Sequence, residues 1–248
     1  MINSLLDYYV KIFERVETQS LKVRNEENKK LCCYFYNKGK LYDGKLMVVG
    51  RSGNGGSEEN CRKQGDLKIR KIDEYIKKIY DSQAASSVSW VTKWWGHDKD
   101  EDGNKQYNPA RSSFWLLIKA ILMELYKESW DENTKKTWPE LIVWSNIYKV
   151  SPVNGGNPNY TLQMLQLDYC KDILKLEIDF CRPKNILFVT GDWFKDVCSL
   201  FECNGSDMVY RYNDGTVANI YVCERPERKS PYKIAERIIS EMSCRESA

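Results

Sequence analysis

The stretch Cys170–Gly191, "CKDILKLEIDFCRPKNILFVTG", joins two elements of opposite kind with almost nothing between them. Its first half places Ile173, Leu174, Leu176, Ile178 and Phe180 at three-to-four spacing, the period of an amphipathic helix. Pro183 stops that helix, because proline has no amide hydrogen to donate. The second half, Asn185–Gly191, is a short unbroken apolar run, as expected of a strand covered on both faces. Similar runs recur at Lys45–Gly50 ("KLMVVG"), Leu141–Trp144 ("LIVW") and Asn219–Pro226 ("NIYVCERP"). Helical patterns fall between and around them, over 4–17, 65–80, 111–127, 193–201 and 232–242, while "LCCYFYNKG" (31–39) reads as strand or loop. Strands alternating with helices predict an α/β fold of three layers, α/β/α, around a mostly parallel central sheet. Ligands of such sheets bind beyond the carboxyl ends of the strands. Four corners therefore matter: Gly50, Ser145-Asn146, Gly191 and Glu224-Arg225-Pro226.

A chain of 248 residues can fill one large core, so a single domain is expected. The 38 basic and 35 acidic residues leave a net charge of +3, too small an excess to demand a nucleic-acid partner, so any such binding must be local. Eight Trp and sixteen Tyr are many; aromatic side chains fill cores, and they also stack on bases. No apolar run approaches the ~20 residues that span a bilayer, and the first residues interleave charge with apolar side chains. The expectation is a cytoplasmic protein without a membrane partner. Nine cysteines, an odd number without a C-x-x-C pair, read as reduced thiols. His97 is the only histidine, which removes any two-histidine metal site and leaves a nucleophilic triad only if His97 itself serves. Neither metal nor cofactor is expected.

The first corner, "GRSGNGGS" (Gly50–Ser57), comes close to a phosphate-binding P-loop. Gly56 stands where the lysine should be, Glu58 and Glu59 would repel a triphosphate, and no strand closing on a magnesium-binding Asp follows. These departures read against a nucleotide hydrolase.

In order, the corners resemble the uracil-DNA glycosylase superfamily. The chain offers "VVGRSGNGG", "NPARSSFWLLIKAI", "LIVWSNIYKVSP", "CKDILKLEIDFCRPKNILFVTG" and "VCERPERKS". The fourth is the most specific, with Cys170, Leu174, Glu177, Ile178, Pro183 and Gly191 where that family places them. The resemblance covers roughly Lys45–Met242 of a single domain (1–248), with 1–44 as a helical N-terminal extension and 58–107 as a basic, Trp-rich insertion. It implies a pocket that takes an extruded base and cleaves its glycosidic bond. On this resemblance Asn146 reads the base and Ser52 falls at the water-activating position. Asn54 could orient a water, or Glu58 or Glu59 could act as base. Gly50 and Gly53 admit the base, Trp94 and Trp95 stack on it, and Lys149, Arg228 and Lys229 meet phosphate. Arg225 stands where the family has a histidine. A permanently charged guanidinium there would hold a phosphate or a base anion before any chemistry.

Plainer readings stand beside these. Asn146 could be a turn residue, Arg225 a surface cation, Trp94 and Trp95 a core-and-surface pair, and Lys63, Lys68, Arg70 and Lys71 a solvated helix face. Three functions stay open: a divergent base glycosylase acting on single- or double-stranded DNA, a non-cleaving module that binds DNA, a nucleotide or another protein, and a phosphate-cradling nucleotide enzyme.

Overall fold

The computed structural model describes residues 2–19, 30–53, 62–63, 72–85, 88–152, 156–204 and 207–246. In chain order these form α1 (Ile2–Thr18), β1 (Lys30–Cys33), β2 (Asn37–Lys38), β3 (Leu46–Ser52), β4 (Arg62–Lys63), α2 (Ile72–Ala85) and α3 (Trp90–Lys93). There follow α4 (Ser113–Leu125), α5 (Glu132–Thr137), β5 (Ile142–Tyr148), β6 (Val150–Pro152), α6 (Tyr160–Cys181) and β7 (Asn185–Val189). A hairpin of β8 (Glu202–Asn204) and β9 (Asp207–Arg211) leads to β10 (Val217–Cys223), and α7 (Pro231–Glu246) closes the chain.

The main sheet runs β2-β5-β3-β7-β10-β9-β8. Its middle four strands, β5, β3, β7 and β10, are parallel, and every one of them had been expected from an apolar run. The flanks are antiparallel, so the sheet is mixed rather than mostly parallel. A second small sheet, β4-β1-β6, is antiparallel throughout.

The middle strands look uniformly apolar because both of their faces are covered. Along β3, Leu46 and Val48 point into one hydrophobic cluster while Met47 and Val49 point into the other. Along β7, Ile186 and Phe188 alternate in the same way with Leu187 and Val189. One cluster is roofed by α1, α2 and α6, and the other by α3, α4 and α7. Helix α1 is thus part of the core, since Leu5, Tyr9, Ile12, Phe13 and Val16 are buried in the cluster against the sheet. Within 58–107, α2 buries Ile72, Ile76 and Ile79 in that cluster too.

Helix α6 ends at Arg182, whose backbone takes the left-handed conformation at φ 50° just before Pro183. The Arg182 side chain bonds Asp214 at 2.5 Å and lies 3.9 Å over the Tyr212 ring, which anchors the chain reversal into β7. Two expectations change. The segment 193–201 forms two 3-10 turns rather than one helix, and β5 continues through Asn146 to Tyr148 instead of ending at Trp144. Among the described residues no helix is long and apolar enough to cross a membrane.

Candidate functional site

Beyond the carboxyl ends of the four parallel strands lies a cleft of about 1170 Å³. Each strand contributes: Gly50–Gly53 from β3, Asn146 from β5, Val189 from β7, and Arg225–Arg228 after β10. One wall is aromatic, built from Trp90, Tyr107, Phe114, Trp115 and Trp144, and the other carries Tyr34, Phe35 and Gln83. Gln83 of α2 fixes that second wall by accepting from the Phe35 amide at 2.9 Å and donating to the Cys33 carbonyl at 2.9 Å.

Gly50 and Asn146 are in register on neighbouring strands. A Cβ on Gly50 would stand 2.6 Å from Asn146 Oδ1, so glycine is what lets the amide lie across the end of β3. Asn146 is only 5% exposed, yet among the described residues its amide makes no hydrogen bond. An amide held on a strand end with its hydrogen-bonding groups turned to a cleft offers a ligand both a donor and an acceptor. Two residues earlier on the same face, the Trp144 indole Nε1 is also buried without an acceptor among the described residues. Trp144 is held by Trp115, Trp90 and Phe114, with ring centroids 5.3, 6.3 and 6.4 Å away.

Charge gathers at the other end of the cleft. Arg51, unremarked in the sequence, donates from Nε to the Thr190 carbonyl at 2.8 Å, and its guanidinium lies 4.9 Å from the Trp193 ring centre. Burial lowers its pKa, as does the neighbouring Arg225, against the opposing pull of Glu227 and Asp192. Gly191 beside it sits at φ 56°, a left-handed backbone that favours glycine, and a Cβ there would lie 3.4 Å from the Arg51 guanidinium, an ordinary contact. Arg225 is ion-paired with Glu227, and Arg228 turns the chain at φ 64° on the rim.

The remaining expected residues divide. Ser52 is in the cleft, where its Oγ donates to Asn157 Oδ1 at 2.9 Å. Gly53 is there too, pressed under the Tyr34 ring so closely that a Cβ would fall 2.1 Å from it. Asn54, Glu58, Glu59, Lys68, Arg70 and Lys71 lie outside the described residues, as does the side chain of Lys63.

Lys149 requires a correction. Its ammonium, 1% exposed, is locked to Glu177 Oε2 at 2.7 Å and Ser145 Oγ at 2.8 Å beneath the sheet, where no phosphate can reach it. Lys229 is drawn aside to Glu224 at 3.4 Å and does not line the cleft. Trp94 and Trp95 are displaced as well. Trp95 packs edge-on against Trp138 with centroids 5.6 Å apart and faces a separate hollow, while Trp94 lies under Lys93. Trp144 shares a face with Asn146 because β5 continues past it, two residues on.

The P-loop reading gains no support from the described residues, and 54–61, which hold most of the glycine turn, lie outside them. A phosphate cradle needs its glycine turn to open directly onto a helix. Here β3 runs on to Ser52, the Gly53 carbonyl is taken by Ser151 Oγ at 2.7 Å, and residues 62–63 form a strand against β1. The next described helix starts only at Ile72. Among the described residues no three carboxylate, thiol or imidazole groups gather at one point. The chain matches no protein-family model and no curated protein.

Proposed function

We propose that this chain has a uracil-DNA-glycosylase-like fold and that its cleft binds a nucleobase carried on a nucleotide. The observation that carries this reading is Asn146, a residue only 5% exposed whose amide lines the cleft without a hydrogen bond among the described residues. An amide offers a donor and an acceptor side by side, the complement of a base edge. The aromatic wall supplies a surface for stacking, worth about 1–3 kcal/mol per base. Arg51 and Arg225 supply charge-assisted donors for the attached phosphate.

Binding without excision is the form we favour. The Ser52 hydroxyl already bonds an amide oxygen rather than a carboxylate, and a serine without a base does not activate water. Arg225 adds a fixed cation where a neutral donor would serve a departing base.

The test pairs two readouts on purified protein: fluorescence anisotropy with labelled oligonucleotides and mononucleotides, and alkali-developed gels of strands carrying uracil, hypoxanthine, xanthine or a mismatch. Asn146-dependent binding with intact strands supports the proposal as written. Asn146-dependent cleavage at one lesion would instead establish a divergent glycosylase. Binding that is indifferent to Asn146→Ala sinks the base-reading role.

A further inference from the structure

A second cavity, a shallow hollow of about 480 Å³, lies behind the aromatic wall. Its lining includes Lys93 of α3, Lys119 of α4, and Lys135 and Lys136 of α5, together with the indoles of Trp95 and Trp138. No carboxylate lines it. Glu132 pairs with Lys135 from outside, at 2.5 Å, and pulls on Lys136, while Lys93, Lys119 and Lys136 have no salt bridge among the described residues. Lys119 is partly buried over the Trp95 ring, 4.5 Å from its centre, and that burial lowers its pKa. In a chain whose net charge is only +3, four ammonium groups around one depression are a local excess awaiting an anion.

The kind of cation narrows the anion. The cleft's cations are mostly arginines, four beside Lys105, and their planar forks suit one fixed phosphate, whereas the cations of the hollow are lysines alone, which act as mobile point charges. They come from three elements and ring the hollow instead of converging on a single point. That arrangement suits a chain of phosphates better than one compact anion. Cleft and hollow also stand back to back. Trp90 lines the cleft and Trp138 the hollow, and the rings pass from Trp90 to Trp115 to Trp138 to Trp95 in steps of 5.6, 6.1 and 5.6 Å. Laid end to end, those steps correspond to about five nucleotides at ~3.4 Å of rise each, and because Trp115 and Trp138 are buried a strand joining the two sites runs around them.

We infer that the hollow holds the phosphodiester backbone of a nucleic-acid strand whose base occupies the cleft, so that the ligand is a polymer and not a free nucleotide. The cleft part of this inference rests on the function proposed above. The lysine part is separable from it.

The experiment measures the affinity of the full chain for a mononucleotide, for single strands of increasing length and for inorganic polyphosphate over a salt series. The wild type is compared with a variant carrying Lys93→Gln, Lys119→Gln and Lys136→Gln, and with the milder Lys93→Gln/Lys136→Gln in case Lys119 is needed for packing. We expect long strands to bind more tightly than the mononucleotide. The triple variant should lower the slope of log affinity against log salt by about 2 to 3, roughly one per lysine, and leave mononucleotide affinity unchanged. An unchanged slope in both variants overturns the inference. Lysine-dependent binding of polyphosphate as tight as that of the strands also overturns it, in favour of a general polyanion site. Lysine-dependent strand binding without any mononucleotide binding would sustain the hollow and remove the cleft reading.

Discussion

Strand β5 has two faces, and both carry polar side chains. Towards α6, Ser145 Oγ donates to Glu177 at 2.6 Å, and Lys149 Nζ meets both Glu177 oxygens at 2.7 and 2.9 Å. Gln166 accepts from the Lys149 and Val150 amides at 3.0 and 2.8 Å and donates to the Val150 carbonyl at 2.8 Å. All of these side chains are 1% exposed or less. Towards the cleft, the Trp144 indole nitrogen is buried and the Asn146 amide lines the cavity, and neither has a hydrogen-bond partner among the described residues. An unpaired buried polar group costs about 1–3 kcal/mol. The first face therefore fixes the architecture, joining α6 to the end of β5, and the second leaves the Asn146 amide free to bond whatever enters the cleft.

Breaking the satisfied face should have the largest effect. Glu177→Ala would strand the Lys149 ammonium in the core, and we expect a loss of about 3–5 kcal/mol in urea unfolding. Replacing both partners, as Glu177→Leu with Lys149→Met, should recover most of that loss, because two apolar side chains leave no charge uncompensated. If the double substitution is as damaging as Glu177→Ala, the pair acts through something other than its charge.

The opposite face should respond in binding and not in folding. Asn146→Ala removes no hydrogen bond among the described residues, so unfolding should shift by less than about 1 kcal/mol. Affinity for a base-bearing ligand should fall by about 1–3 kcal/mol, roughly 5- to 150-fold. A smaller change of the same kind is expected from Gly50→Ala, whose new methyl would push the Asn146 amide from its place. Its near contact is the end of a flexible side chain, so we expect binding to weaken about tenfold with stability changed by under about 1 kcal/mol. A large stability loss with unchanged affinity would show that the amide is structural after all.

The sequence disclosed the middle of the sheet and misjudged its end for one physical reason. β3, β7 and β10 are apolar on both faces, and that pattern is local. β5 continues through Ser145 and Asn146 to Tyr148, with Lys149 just beyond it, and the stretch reads as a loop because the group that satisfies Ser145 and Lys149, Glu177, arrives from a helix later in the chain. Glu177 itself sits on the buried face of α6, while Phe180, expected there, is 49% exposed. In the cleft, Gly50, Ser52, Gly53, Asn146, Arg225 and Arg228 were each nameable from a strand end, and they do share one cavity. Arg51 was not, since its direction depends on the Thr190 carbonyl at the end of another strand. Nor could composition tell that Trp90 and Trp144, rather than Trp94 and Trp95, face the cleft. Packing of α3 against α4 and the sheet makes that choice.

The smallest effect concerns how dry the satisfied face is. Cys170 lies beside its polar network, Sγ 3.4 Å from Gln166 Oε1, and burial pushes its thiol up to about 12 from about 9. Below pH 9 the thiol is protonated in both folded and unfolded chains, so its stabilising contribution is fully present. As pH rises from 9 towards 12 the unfolded thiol ionises first, and that contribution is lost. At pH 8 an alkylating reagent should therefore label the exposed Cys198, Cys203 and Cys244 within the folded protein and reach Cys170 only through unfolding. Glu177→Ala should speed Cys170 labelling in step with its loss of stability, and Asn146→Ala should leave the rate unchanged, because Asn146 lies on the other side of β5. Labelling of Cys170 that accelerates equally in both variants would mean that the two faces open together, and the division drawn along β5 would have to be abandoned.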